Sequence, residues 1–197
     1  MNNKDFTCGT LFSDMSNVPE IKLNKTTLPG SFDLRKFTYP VYNQGNRGIC
    51  CSVSLTDTIK YLENFKRINL NIPRDYFWLQ RKDKSANGMT IKEAMNIAKS
   101  NGYIKTFGKL KTIDDIKTNL VIHGPVIFAL PAYSDSGDYF WRSVGNYRGG
   151  HAVVIVGYNK DGFILKNSWG TSYSNNGYTI FPYSDFNSVR EAWTVFA

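Results

Sequence analysis

The sequence predicts an α+β fold, in which helices fill the first half of the chain and strands the second. Apolar residues recur at helical spacing in segments that all lie before residue 123. Beyond Gly124-Pro125 they gather in runs of four or five, separated by turns that contain Gly, Asn or Asp. Helices and strands that are segregated along a chain in this way favour α+β over an alternating α/β architecture.

Three helices are expected in the first half. The first begins near Cys50 and continues to about Phe65. The second starts at a T-x-x-E capping pattern on Thr90 and stops at Asn101-Gly102. The third spans about 113–122. One helical face of the first is marked by Cys51, Leu55, Ile59 and Leu62.

Four strands are expected in the second half, since short apolar runs there are bounded by turn residues. They cover residues 126–130, 152–156, 163–166 and 178–181. Residues 1–28, by contrast, are polar and weakly periodic, which predicts an extended arm or loop.

Composition is typical of a folded domain and excludes few functions. The 197 residues are 42% hydrophobic and 15% aromatic, enough for a packed core. The net charge is +8, but Lys and Arg are scattered, and the densest cluster, residues 81–84, is interrupted by Asp83. No nucleic-acid-binding motif accompanies it, so we expect a solvated face and no nucleic-acid partner.

The cysteine count and the apolar runs argue against a disulfide-stapled protein, a metalloprotein and a membrane protein. Cys8, Cys50 and Cys51 are odd in number and two are adjacent, which is not a disulfide framework. With the two histidines they form no metal-ligand pattern, so we expect neither a metal nor a cofactor. No apolar run approaches the ~20 residues of a membrane span, and the N-terminus leads into no signal-peptide core.

Cys50 is the candidate nucleophile, because the predicted helix begins there. A helix N-terminus favours the thiolate, which is the reactive form of cysteine. The turn at residues 45–48 contains two glycines, which lets the backbone and Gln44 approach a substrate carbonyl closely. Cys51 fits better as a small buried residue on the helix face.

His151 is the candidate base. Two glycines precede it at the start of an apolar strand, whereas His123 lies in a connector between a helix and a strand. Asn167 follows the next strand, 16 residues later, so an antiparallel hairpin places both side chains at one end. Acyl transfer by cysteine needs this set: a nucleophile, a base, and a group that orients the base.

These residues lie in blocks that resemble the papain-like cysteine peptidases. The blocks are Asn43-Gln-Gly-Asn-Arg-Gly-Ile-Cys50, Gly150-His-Ala-Val-Val-Ile-Val-Gly-Tyr158 and Leu165-Lys-Asn-Ser-Trp-Gly170, with Leu28-Pro-Gly-Ser-Phe-Asp-Leu-Arg35 resembling the mature N-terminal segment. The resemblance implies a peptidase domain at 28–197, with a helical lobe at about 44–110, a β-rich, barrel-like lobe at about 111–197, and the active-site cleft between them.

The resemblance also implies a role for each matching residue. Cys50 and His151 form the catalytic pair, and Asn167 orients the histidine. Gln44 provides the oxyanion-hole side chain together with the Cys50 backbone N–H. The residues implied in substrate binding are Asn87, Gly88, Gly150 and Trp169, of which the tryptophan also shields the Asn–His contact.

Several departures from the familiar pattern are visible. The disulfide-forming cysteine before the nucleophile is missing, and Cys51 replaces the aromatic residue after it. The nucleophile and the histidine are 101 residues apart, against ~130–150 in papain. These features resemble compact prokaryotic or viral members of the family. Since the sequence shows neither a signal peptide nor a membrane span, we expect a cytoplasmic or virion-associated protein over a secreted one.

Three questions stay open at this point. Residues 1–27 are shorter than the family's helical pro-segment; they either occupy the cleft or pack along the β-rich lobe and extend its sheet. The expected reaction is hydrolysis of a polypeptide substrate through a thioester acyl-enzyme. An amidase, a deconjugating enzyme, a transpeptidase or a non-catalytic binding module on the same fold are the alternatives, and the oligomeric state is open.

Overall fold

The computed structural model describes residues 7–24, 26–65 and 71–197. Four α-helices lie in this part of the chain: α1 (Cys50–Phe65), α2 (Tyr76–Leu79), α3 (Ile91–Ser100) and α4 (Ile113–Ile122). The three longer ones match the predicted helices. Thr90 caps α3 as predicted, because its hydroxyl oxygen accepts a hydrogen bond from the Glu93 N–H at 3.0 Å.

Nine strands form one sheet in the described part of the chain. They are β1 (Thr10–Leu11), β2 (Phe32–Asp33), β3 (Met89–Thr90), β4 (Thr106–Lys109), β5 (Val126–Tyr133), β6 (Tyr147–Tyr158), β7 (Gly162–Lys166), β8 (Tyr178–Pro182) and β9 (Glu191–Phe196). Strands β5 to β8 contain the four predicted ones.

The long strand β6 is the centre of the sheet. It pairs with β1, β2, β5 and β7, all antiparallel. The main path runs β3-β1-β6-β5-β9-β4, and β8 pairs with β7. Strand β4 lies within the range predicted for the helical lobe but belongs to this sheet through its pairing with β9.

Both faces of β5 are buried, which explains its continuous apolar run. Phe128 and Leu130 face one core, which also holds Trp169 and the aromatic residues of β7 and β8. Ile127 and Ala129 face a second core, built with α1 and α3. The sheet therefore separates a helical layer from a β-rich layer, the α+β arrangement predicted from the sequence.

None of the helices in the described ranges combines the length and apolar character that crossing a bilayer requires.

Candidate active site

Cys50 is the first residue of α1 and has no exposed surface. Burial by itself opposes the thiolate. Interactions with Cys51 and His151, and the hydroxyl of Thr10, outweigh that penalty and hold the pKa of Cys50 well below the ordinary thiol value. Cys50 is therefore the cysteine whose surroundings favour the reactive, ionised form.

The other two cysteines are held as thiols. Burial, reinforced by the neighbouring Cys50, raises the pKa of Cys51 well above its ordinary value. The Cys51 thiol contacts the Met89 carbonyl oxygen at 3.2 Å. Burial and Cys50 also raise the pKa of Cys8 to about 12. The structure thus places Cys51 as the buried, neutral neighbour that the sequence predicted.

His151 and Asn167 meet as the predicted hairpin requires. His151 lies on β6, and Asn167 directly follows β7, which pairs with β6. Nε2 of His151 lies 2.7 Å from Oδ1 of Asn167. The Ser168 N–H donates to the same oxygen at 2.7 Å. Since that atom accepts from a backbone N–H, it is the amide oxygen, and Nε2 is the protonated ring nitrogen.

This tautomer leaves Nδ1 of His151 for the nucleophile. Nδ1 is buried and makes no hydrogen bond, to sulfur or to any other atom, among the described residues. The His151 ring interacts favourably with the Cys50 thiolate, and this is one of the causes that lower the pKa of Cys50. His123, by contrast, packs edge-on against Phe196 with the ring centroids 4.8 Å apart, away from this site.

Aromatic rings enclose the His–Asn hydrogen bond. Trp169 stacks on the His151 ring, with centroids 4.3 Å apart and an interplanar angle of 19°. Phe140 packs edge-on against His151 at 5.2 Å, and Tyr173 packs edge-on against Trp169 at 5.2 Å. All four side chains are buried. Water is thereby kept from the hydrogen bond, which strengthens it electrostatically.

Phe140 and Tyr173 were missed by the sequence analysis. They lie in loops that show no helical or strand periodicity, so nothing local connects them to the histidine. The one available signal was an aromatic cluster, Tyr139-Phe140-Trp141, in an otherwise polar loop.

Gln44 is held in one orientation by Ser168. The Ser168 hydroxyl donates to Oε1 of Gln44 at 2.6 Å, and the Gln44 N–H donates to the Ser168 carbonyl at 2.8 Å. Nε2 of Gln44 is therefore directed the other way, where it donates to the carbonyl oxygens of Thr7 at 2.8 Å and Arg47 at 2.9 Å. The predicted oxyanion donor thus already binds a peptide carbonyl.

That carbonyl belongs to the N-terminal arm expected over residues 1–27, of which residues 1–6 and 25 lie outside the described ranges. Below, the arm means residues 7–13. Thr10 and Leu11 pair with Met89 and Thr90 in parallel, and Thr10 pairs with Gly150 on β6. The arm therefore lies between β3, which leads into α3, and β6, beside Cys50. Cys50 and His151 both have 0% exposed surface, so the site is closed in this structure.

The predicted substrate-binding glycines face the arm. A β-carbon added at Gly88 would lie 2.0 Å from the Gly9 carbonyl oxygen, and one added at Gly9 would lie 2.1 Å from the Gly48 oxygen. Gly150 pairs with Thr10. Asn87, the fourth predicted residue, is exposed at the rim, and its carbonyl oxygen contacts Gly48.

Comparisons with known proteins fit this geometry. An uncharacterized peptidase C1-like protein of Acanthamoeba polyphaga mimivirus is 34% identical over 122 residues, covering 52% of this chain and 39% of that protein. Cathepsin B-like cysteine proteinase 4 of Caenorhabditis elegans is 32% identical over 76 residues, covering 34% of this chain and 23% of that protein. This chain thus spans well under half the length of these curated relatives.

Solved structures share the fold across the whole chain. Xylellain, a cysteine protease from Xylella fastidiosa, superposes with a TM-score of 0.80 at 19% identity, covering 100% of this chain and 98% of that one. Procathepsin B S9 from Trypanosoma congolense gives a TM-score of 0.81 at 16% identity, covering 96% of this chain and 86% of that one.

The papain family cysteine protease model matches residues 59–190, about two thirds of the chain. That range includes His151 and Asn167 and begins after Cys50 and Gln44, so the assignment of these two rests on the geometry above. With this match and this fold, the chain belongs to the papain family of cysteine proteases.

Proposed function

We propose that this chain is a cysteine endopeptidase that hydrolyses peptide bonds through a thioester acyl-enzyme. The observation that carries the proposal is the Thr7 carbonyl, a peptide group held 2.8 Å from Nε2 of Gln44 beside a buried, pKa-lowered cysteine. A substrate carbonyl in the same place would direct its oxygen to the Gln44 amide, and the arm that now holds this place contacts the Cys50 sulfur through the Thr10 hydroxyl.

The first half of the reaction follows from these positions. Nδ1 of His151 first takes the proton of the Cys50 thiol, which leaves a thiolate beside an imidazolium. The thiolate attacks the carbonyl carbon, and the negative charge moves to the oxygen, where Gln44 and the Cys50 N–H donate to it. When the tetrahedral intermediate collapses, the C–N bond breaks and the leaving amine takes a proton from Nδ1 of His151. The product is a thioester on Cys50.

The second half uses the same groups in reverse. Water attacks the thioester while Nδ1 of His151 takes its proton, and the same donors stabilise the second oxyanion. The C–S bond then breaks, which releases a carboxylic acid and restores the thiolate. Asn167 and Trp169 hold the ring in place throughout, so their role is to position the base.

Hydrolysis is tested by products. The full chain is incubated with a peptide library in water enriched in ¹⁸O, with and without a primary amine, and the products are sequenced by mass spectrometry. The proposal expects new C-terminal carboxylates that carry the label and are absent with Cys50→Ala. Products joined only to the amine would indicate a transpeptidase, and a folded, accessible Cys50 without turnover would indicate a binding module.

We also propose that the closed form is a latent state in which the arm blocks the cleft. Support comes from the pairing of Thr10 with both β3 and β6 and from the absence of exposed surface on Cys50 and His151. The unpaired cysteines of the described structure fit a reducing compartment, which supports a cytoplasmic or virion-associated setting over a secreted one.

A further inference from the structure

A buried ion pair joins the helix of the nucleophile to the strand of the base. Nζ of Lys166 donates to Oδ2 of Asp57 at 2.5 Å, and their side chains are 2% and 6% exposed. Nε of Arg74 donates to the other carboxylate oxygen at 3.1 Å. Asp57 and Lys166 are 109 residues apart in sequence, so their contact is purely tertiary.

Each partner is attached rigidly to one half of the site. Asp57 lies on α1 seven residues after Cys50, which is about two helical turns and nearly the same face. Lys166 is the last residue of β7, next to Asn167, and it pairs with Val154 on β6, three residues beyond His151. A shift between the helix and the sheet therefore changes the Asp57–Lys166 distance and the Cys50–His151 distance together.

Stability alone is a poor reason for such a pair. Burial, helped by the nearby positive charge of Arg74, lowers the pKa of Lys166 despite the attraction of Asp57, so the ammonium form is disfavoured at this place. Replacing a buried ion pair by apolar side chains of similar volume is often neutral or stabilising. A hydrogen-bonded ion pair is satisfied only over a narrow range of distance and angle, so it fixes the relative position of the two elements that carry it. An apolar pair imposes no such restriction.

We propose that Asp57 and Lys166 are positioning residues that fix the sheet against α1 so that His151 meets Cys50. The proposal rests on the proposed function, since it assigns the pair to the same catalytic site. In this proposal the Lys166 side chain, through Asp57, sets the position of the β6–β7 hairpin relative to Cys50.

The test compares wild type with Asp57→Leu/Lys166→Met, which removes both charges and keeps the volume. The readout is the ultraviolet absorbance of the Cys50 thiolate against pH, corrected with Cys50→Ala, together with kcat and KM. The absorbance needs no substrate, so it reports on the catalytic pair even while the arm closes the cleft. Asp33→Leu/Arg35→Met, on an exposed ion pair, is the matched control.

We expect the double variant to fold with a melting temperature somewhat below that of wild type, because Arg74 loses its carboxylate partner. Its thiolate titration moves to higher pH by about one unit or more, a tenfold change in the thiolate-to-thiol ratio, and kcat falls while KM changes little. The control variant keeps the wild-type titration and kcat. A folded double variant with an unchanged titration and unchanged kcat overturns the proposal.

Two further comparisons keep the experiment decisive. If the double variant does not fold, Lys166→Arg and Asp57→Glu keep both charges but change the length of the bridge; unchanged titrations in both would overturn positioning equally. If wild type itself holds no thiolate at neutral pH, the proposed function fails and the inference fails with it. If wild type holds the thiolate and the double variant holds it equally, the inference fails and the proposed function stands.

Discussion

The hydroxyl oxygen of Thr10 lies 3.2 Å from the sulfur of Cys50. A residue of the arm thus contacts the nucleophile, where an incoming substrate would need to lie. Oγ1 of Thr10 is also 3.2 Å from the sulfur of Cys51, so one hydroxyl contacts both thiols at the start of α1. In the proposed latent state, substrate binding requires that the arm leave, and the energy of its contacts sets how often it does.

Displacing the arm is expected to activate the protein. In Gly9→Val the new side chain would meet the Gly48 backbone, because even a β-carbon there would lie 2.1 Å from the Gly48 oxygen. We expect Cys50 labelling by iodoacetamide and kcat/KM on a small peptide to rise roughly tenfold or more, since both scale with the fraction of open molecules.

Gly30→Val is the matched control for this change. A β-carbon at Gly30 meets nothing within 4 Å, so the same substitution there should alter neither labelling nor kcat/KM. A Gly9→Val protein that loses stability without gaining activity would instead mean that the arm is a structural strand of the fold. That outcome would support the second placement expected from the sequence, an arm that extends the sheet.

The candidate catalytic residues could be picked out from the sequence because each of them lies in a local pattern. Cys50 begins a periodic helix, and His151 and Asn167 flank one hairpin, so short-range spacing already brings two of the three together. The capping pattern at Thr90 likewise fixed the start of α3, because a cap acts within one turn.

Other parts depend on contacts between distant segments. The path of the arm is set by the fit of Gly9 against Gly48 and Gly88, which no spacing along the chain reveals. Strand β9 was missed because its partners, β4 and β5, lie about 60 to 90 residues earlier and no hairpin turn precedes it. The Asp57–Lys166 pair is equally non-local.

The two adjacent cysteines should separate cleanly on substitution. Cys50→Ala is expected to abolish turnover, because no other described thiol has a lowered pKa. Cys51→Ala removes a small buried side chain and its contact to Met89, which costs about 1–2 kcal/mol in the free energy of unfolding. It should keep most of kcat. Urea unfolding and initial rates measure the two effects, and a well-folded but inactive Cys51→Ala would reverse the assignment.

Removing the Asn167 amide should reduce the rate more than binding. The amide oxygen holds the proton-bearing Nε2 of His151 at 2.7 Å without adding charge. In Asn167→Ala the ring loses this alignment in the transition state, so kcat should fall at least roughly tenfold, a part of what general acid–base catalysis contributes, while KM changes less. Steady-state kinetics test this. Wild-type kcat in the variant would mean that Trp169 and Phe140 position the ring unaided.

His123 gives a stability effect that is independent of the active site. Burial lowers the pKa of His123 below its ordinary value, so the folded state binds this proton less readily than the unfolded state. Its contribution to stability is therefore present above the unfolded pKa of about 6.5 and is lost as pH falls through the folded pKa. The melting temperature of wild type should fall between neutral and mildly acidic pH, and that of His123→Gln, which cannot take up the proton, should fall less.

The kcat of His123→Gln at neutral pH should equal that of wild type, because the structure places His151 and not His123 beside Cys50. A His123→Gln protein that is folded yet inactive would contradict the choice of base, and one whose melting curve shifts with pH as much as wild type would assign the acid sensitivity to other groups.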